Sequence, residues 1–154
     1  MIGLRRSTTI VLGTLMLFSL FGCGAKEPVG LGLGEEGLSP CPDRPNCVAS
    51  NTEDEAQQIE PFHFTDQAAA WTALKKAVAD LPRTNVVTAD DTYLHAEARS
   101  RIFGFVDDLE FQMRAEENVI ALRSAARTGY SDFGVNAERL ETLRARLQAE
   151  GVLP

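Results

Sequence analysis

Hydrophobic and polar side chains alternate through most of the second half of the chain. The period of two recurs over 84–88, 92–100, 105–114 and 118–125, and each stretch reads as a β-strand. Asp90-Asp91, Gly104 and Glu116-Glu117-Asn118 supply turns between them, so the spacing predicts an antiparallel meander. On either side the period becomes helical. Over 65–81, Trp71, Leu74, Val78 and Leu81 share one face. Thr65 is the expected N-cap, Asp66 lies in the first turn and Pro82 ends the helix. Over 136–149, Leu140, Leu143 and Leu147 form the apolar stripe, with Asn136 as the expected cap and Gly151 as the stop. Helix, four strands, helix predicts an α+β fold. Its simplest form has two layers, a four-stranded antiparallel sheet with two helices on one face.

Ahead of these elements the pattern changes. Residues 1–9 carry Arg5 and Arg6 and no acid, and residues 10–21 are apolar. A bilayer span needs roughly 20 apolar residues, so this shorter run reads as a secretory signal. Leu20-Phe21-Gly22-Cys23 follows and resembles the lipobox of bacterial lipoproteins, although Phe21 is bulkier than the usual residue there. The resemblance implies that residues 1–22 are removed and that the Cys23 thiol carries a diacylglyceryl group. Each buried methylene is worth about 0.8 kcal/mol, and several acyl chains together make a stable anchor. The expected place is the cell envelope, on the non-cytoplasmic side. Gly24, which is not the Asp of inner-membrane retention, favours the outer membrane of a Gram-negative cell. Residues 23–40 read as the lipidated Cys and a glycine-rich flexible tether, spanning on the order of 20 Å as a random coil. Residues 41–154 remain as one domain.

Cysteine usage fits this division. Of three cysteines, modification of Cys23 leaves Cys41 and Cys47, and an oxidising compartment lets them pair. Pro42 and Pro45 lie between them, which suggests a stapled turn. The chain has 15 basic and 22 acidic side chains; without Arg5 and Arg6 the balance is 13 to 22, a net charge of −9. That excludes sequence-independent binding of nucleic acid, which needs a basic face. It also excludes adhesion to anionic lipid by charge alone. The charge is unevenly spread, however: acids crowd Glu35–Asp66 and arginines crowd Arg99–Arg146.

Strand parity places the candidate chemistry. Leu94, Ala96 and Ala98 oppose Tyr93, His95, Glu97 and Arg99. Phe105, Asp107, Leu109, Phe111 and Met113 oppose Val106, Asp108, Glu110 and Gln112. Ile120, Leu122 and Ser124 oppose Val119, Ala121 and Arg123. With the apolar sets under the helices, the other face gathers His95, Glu97, Asp108, Glu110 and Arg123. Arg123 could hold a carboxylate or phosphate there. The preferred reading is a cross-strand salt-bridge ladder on a solvated face. Asp107 is the misfit, a carboxylate on the apolar side that needs a partner. Arg127, Tyr130 or the amides near Ser131 are the expected partners, in a clamp that pins the 129–134 loop to the sheet. That loop could also bind an anion at the free amides opening the last helix, near Ser131 and Asp132, with Arg127 and Arg139 alongside. Catalytic signatures are weak. Cys41 and Cys47 are not a Cys-x-x-Cys pair, and neither His63 nor His95 sits in a metal-ligand motif. A triad of Ser131, His95 and Asp132 has no nucleophile elbow behind it.

Four segments together carry a wider resemblance: Cys41-Pro42 with Pro45-Asn46-Cys47-Val48-Ala49-Ser50; Tyr93 to Glu97; Gly104 to Phe111; and Arg123 to Asn136. In this order they resemble the domain of unknown function numbered fourteen-ninety-nine, over roughly residues 41–147. That family occurs in bacterial envelope proteins and some chloroplast proteins, and the resemblance implies no activity. The expectation is a non-catalytic envelope module without a cofactor, binding a partner protein or a small anionic ligand. The rival is an enzyme acting on envelope material through Asp107, Asp108 and His95. The two separate on whether those three side chains converge in a concave pocket.

Overall fold

The computed structural model of the chain describes residues 30–154; residues 1–22, read as a signal, and Cys23 lie outside the described residues. In order, the elements are β1 (Leu33–Gly34), β2 (Gly37–Leu38), β3 (Cys47–Ala49), β4 (Phe62–His63), α1 (Gln67–Ala79), β5 (Thr84–Ala89), β6 (Tyr93–Arg99), β7 (Val106–Arg114), β8 (Val119–Ala126) and α2 (Val135–Ala149).

The meander forms where the alternation placed it, with β5 to β8 pairing antiparallel in sequence order. The sheet, however, has six strands and not four. β3 and β4 both pair antiparallel with the outer edge of β8, Cys47 opposite Ala125 and Phe62 opposite Ile120. At three and two residues they are too short to show a period, yet they cover a strand edge that would otherwise present unpaired backbone groups.

Parity is as the sequence requires except at Phe105, which was expected on the apolar face and instead lies half-exposed in the loop before β7. Leu94, Ala96, Leu109, Phe111, Ile120 and Leu122 are buried in one cluster with Trp71, Leu74 and Val78 of α1 and Leu140, Leu143 and Leu147 of α2. Both helices therefore lie on one face of the sheet. The caps differ from expectation. Asp66, not Thr65, caps α1, its carboxylate accepting from the amide of Ala69 at 2.9 Å. Asn136 falls inside α2 with its side chain buried, because the chain turns into the helix at Gly134, at φ +83°. The Asp132 carboxylate does the capping, accepting from the amides of Gly134 (3.0 Å) and Asn136 (2.9 Å).

Cys41 and Cys47 are joined by a disulfide, with Cα atoms 5.6 Å apart. Residues 30–40, read as tether, are instead part of the fold. Leu33–Gly34 and Gly37–Leu38 make a hairpin, Leu38 is buried, and its carbonyl accepts from the Asn51 amide at 2.7 Å. The glycines that suggest flexibility here permit close approach. Gly37 sits at φ +100°, and a Cβ there would collide with the Gln112 side chain and press on Arg114. This strap lies on the charged face of the sheet at Tyr93, Glu110 and Gln112, and His95, Asp108, Glu110 and Arg123 are buried, so the centre of that face is not solvated.

Candidate functional site

The strand register sets the charged face. Glu97 stands opposite Asp108, and Glu110 stands between His95 on β6 and Arg123 on β8. Two carboxylates directly opposed repel, and Arg127, just past the end of β8, resolves the conflict. Its Nε and Nη2 donate to the two oxygens of Asp108, both at 2.8 Å, and Nη2 also donates to Glu97 at 2.5 Å. His95 Nε2 lies 2.8 Å from the same Asp108 carboxylate and, since the carboxylate accepts, carries the hydrogen. Burial pushes the Asp108 carboxyl up, but the hydrogen bonds from Arg127 and His95 outweigh it and hold the group below its ordinary range. The bonds that Arg127 donates to Asp108 and to Glu97 hold its guanidinium more basic than usual.

A second cluster is centred on Glu110, whose side chain is fully buried. It accepts from the Tyr93 hydroxyl (2.6 Å), Arg123 Nη1 (2.6 Å) and the backbone N–H of Gly32 in the strap (2.9 Å). Burial and the Glu110 carboxylate together push the Tyr93 phenol up. Arg123 Nε is buried without an acceptor among the described residues. Arg123 is thus the inner half of a buried ion pair and presents no guanidinium face to a ligand.

Asp107 points the other way, as parity requires, but its partner is none of those expected. Arg139 of α2 donates to it at 2.8 Å. Arg127 is on the opposite face of the sheet, Tyr130 is exposed, and the Ser131 hydroxyl accepts from the amide of Phe133. Burial pushes the Asp107 carboxyl up, and this outweighs the attraction of Arg139. Arg139 also donates to Asn136 Oδ1, which accepts from the Ser124 hydroxyl as well. The Asn46 side chain donates to the carbonyls of Ala126 and Gly129. Asn46, Asn136 and Arg139 thus tie the disulfide loop, the end of β8 and α2 into one joint. The sequence read Asn136 as a cap and Arg139 as a flank of the 129–134 loop, and gave Asn46 no role beyond the family resemblance.

The structure therefore unites His95, Asp108 and Arg127, places Arg123 in the neighbouring cluster, and puts Asp107 on the reverse side. Ser131 and Asp132 serve their own loop, which removes the amides an anion would have used. The paper triad also dissolves, since His95 bonds Asp108 and not Asp132. Among the described residues, no group of three His, Cys, Asp or Glu side chains could hold a metal ion. An open hollow of about 430 Å³ lies at the β1–β2 end of the sheet, between the strap and the 115–117 turn. Glu35, Glu36, Glu116 and Glu117 line it, with Gln112 and Arg114.

Comparison with curated proteins gave no match, and comparison with solved structures gave none. The family model described as a protein of unknown function (DUF1499) matches residues 37–147, from the second strand of the strap to the last buried leucine of α2. That span holds both ion-pair clusters, the disulfide and the Asn46–Asn136–Arg139 joint, and with most of its length matched the chain belongs to the DUF1499 family.

Proposed function

We propose that the chain is an envelope lipoprotein, tethered through Cys23 on the non-cytoplasmic side of a membrane, and that its domain is a non-catalytic module binding a partner protein. One observation carries the non-catalytic part. Asp107 and the His95–Asp108 pair lie on opposite faces of the sheet, Asp107 bonded by Arg139 and Asp108 by both Arg127 and His95. General acid–base catalysis needs a carboxylate or imidazole within reach of substrate. Here these groups are buried and occupied in holding strands and helix together. A small anion is the poorer ligand, because Arg123, Arg127 and Arg139 are all paired. The hollow at the strap end carries four glutamates against Arg114, which suits a basic segment of a protein. The anchor rests on the Leu20-Phe21-Gly22-Cys23 sequence.

The test has two arms. Mature full-length protein from a bacterial envelope should carry an acylated N-terminal Cys, and Cys23→Ser should not be processed at the same site. A photo-crosslinking residue in place of Glu36 or Glu117 should give a discrete protein adduct in the envelope. Turnover of peptidoglycan or phospholipid by wild type, lost in His95→Gln, would reverse the reading in favour of an enzyme.

A further inference from the structure

The end of the sheet away from the hollow has a different surface. Three loops leave it together: the disulfide loop 41–47, the β6–β7 loop 100–105 and the β8–α2 loop 127–134. Their adjacency is fixed by hydrogen bonds from Arg127 N to the Val106 carbonyl and from Ala126 N to the Asn46 carbonyl. On these loops large apolar side chains project outward. Phe133 is 94% exposed, Ile102 82%, Phe103 74% and Tyr130 73%; Phe105 is half-exposed and stacks on Phe103 with ring centroids 5.5 Å apart. Single exposed apolar residues are ordinary, but a cluster on adjoining loops marks an interaction site. Phe133 adds a second signal. It sits at φ +56°, a left-handed conformation that bulky residues avoid, and this strained backbone holds the ring in solvent and not against the core.

Charge selects the partner. In a chain of net charge −7, these loops and the strand ends beside them carry exposed Arg44, Arg83, Arg99 and Arg101. Arg99 pairs with Glu97, and Arg44 and Arg101 form no ion pair among the described residues. The acids of the three loops are Asp43 and Asp132, and Asp132 is engaged in capping α2; the exposed Glu53-Asp54-Glu55 stretch adjoins the disulfide loop, where the Gln57 side chain donates to the carbonyls of Pro42 and Arg44. Aromatic and aliphatic tips with Arg44 and Arg101 on the same loops carry the chemistry of a bilayer interface: the rings enter the headgroup region and the guanidinium groups meet anionic phosphates. The apolar tips also stand on separate loops, which a deformable lipid surface accommodates. Reach allows it as well. Seven peptide steps separate Cys23 from Gly30, at most about 25 Å of extended chain, so a domain anchored at Cys23 is kept near the bilayer. The whole-chain charge argues against adhesion by electrostatics alone; here burial of apolar tips supplies the contact and the local arginines orient it.

We infer that the loop tips bearing Ile102, Phe103, Tyr130 and Phe133 dock into a bilayer containing anionic phospholipid, holding the domain with its acidic hollow facing away from the membrane. Only the argument from reach rests on the Cys23 anchor. The experiment uses full-length protein with vesicles of phosphatidylcholine and phosphatidylglycerol brominated on their acyl chains. Wild type contains one tryptophan, Trp71, buried in the core and serving as the internal control. Phe133→Trp, with Phe103→Trp as the second variant should the first not fold, adds an indole at the tip. That added emission should shift to the blue and lose its larger part to the brominated lipid, while wild-type emission is unchanged. Without phosphatidylglycerol, with Arg44→Glu/Arg101→Glu, or as salt rises from ~0.1 M to ~1 M and the Debye length falls from about 10 Å to about 3 Å, the quenching should weaken. An unquenched tip indole in both variants overturns the inference. So does quenching indifferent to phosphatidylglycerol, or a photo-crosslinker at Phe133 that captures a discrete protein and no lipid. The N-terminal mass of the same preparation separates tip from anchor. An acylated chain with an unquenched indole keeps the anchor and overturns the tip; an unacylated chain with a quenched one does the reverse.

Discussion

Asp107 and Asp108 are neighbours in sequence with opposite electrostatics. Asp108 is held below its ordinary range by Arg127 and His95, against the push of burial. Its folded pKa lies under the unfolded value of about 3.9, so its stabilisation is complete above that value and is lost as pH falls through the folded one. Denaturation between about pH 5 and pH 2 should show this loss, and Asp108→Asn should flatten that limb of the curve. Asp108→Ala, which strands Arg127 beside Glu97, should cost about 3–5 kcal/mol in chemical denaturation. Asp107 behaves inversely, because burial raises its carboxyl and protonation favours the folded chain over the interval between the two values. Asp107→Ala and Arg139→Ala should couple by about 0.5–3 kcal/mol in a double-mutant cycle, whereas Asp107→Ala and Arg127→Ala should add to within about 0.5 kcal/mol. The oddity of Asp107 was legible from parity alone. Its partner was not, because Arg139 lies 32 residues on and the rotation of α2 against the sheet leaves no local mark on the sequence.

At the scale of elements, the strap and the disulfide loop are small pieces that seal a large face and an edge. Gly37→Ala introduces a Cβ at φ +100°. Gln112 can swing aside, but the left-handed backbone still costs about 1–2 kcal/mol. Hydrogen exchange should then speed up at the Gly32 amide while amides of β7 and β8 stay protected. Reduction of Cys41–Cys47, or its replacement by serines, should cost about 2 kcal/mol on the chain-entropy model and leave the fold intact, since the core lies elsewhere. The long strands and both helices were readable because their periods run over several turns or pleats. β3, β4 and the strap were not: two or three residues show no period, and Gly30, Gly32, Gly34 and Gly37 have the same composition whether they serve flexibility or contact. Composition also made the charged face look solvated, since nothing in the alternation of β6 to β8 shows that a distant segment will cover it.

Across the whole molecule, one sheet separates two interiors of different kinds, an apolar one beneath the helices and an ionic one beneath the strap. The strap is also where residues 1–29 join the described chain, and this arrangement has a mechanical meaning. Any pull along the N-terminal segment arrives at Gly30 and meets first the hydrogen bonds from Gly32 to Glu110 and Tyr93, not the core. The strap can therefore peel under load while the sheet and helices stay whole, releasing residues 30–40 as about 35 Å of extra reach. The release ends at Cys41, where the disulfide carries the force into Cys47 at the head of β3 and hence into the sheet. In a force-extension experiment gripping the two termini, wild type should show a short early step before global unfolding. Glu110→Gln, which weakens the grip on Gly32, should lower the force of that step and leave its length unchanged. The segment that resembles an idle linker would then be a mechanical fuse, a sacrificial length that yields before the domain does.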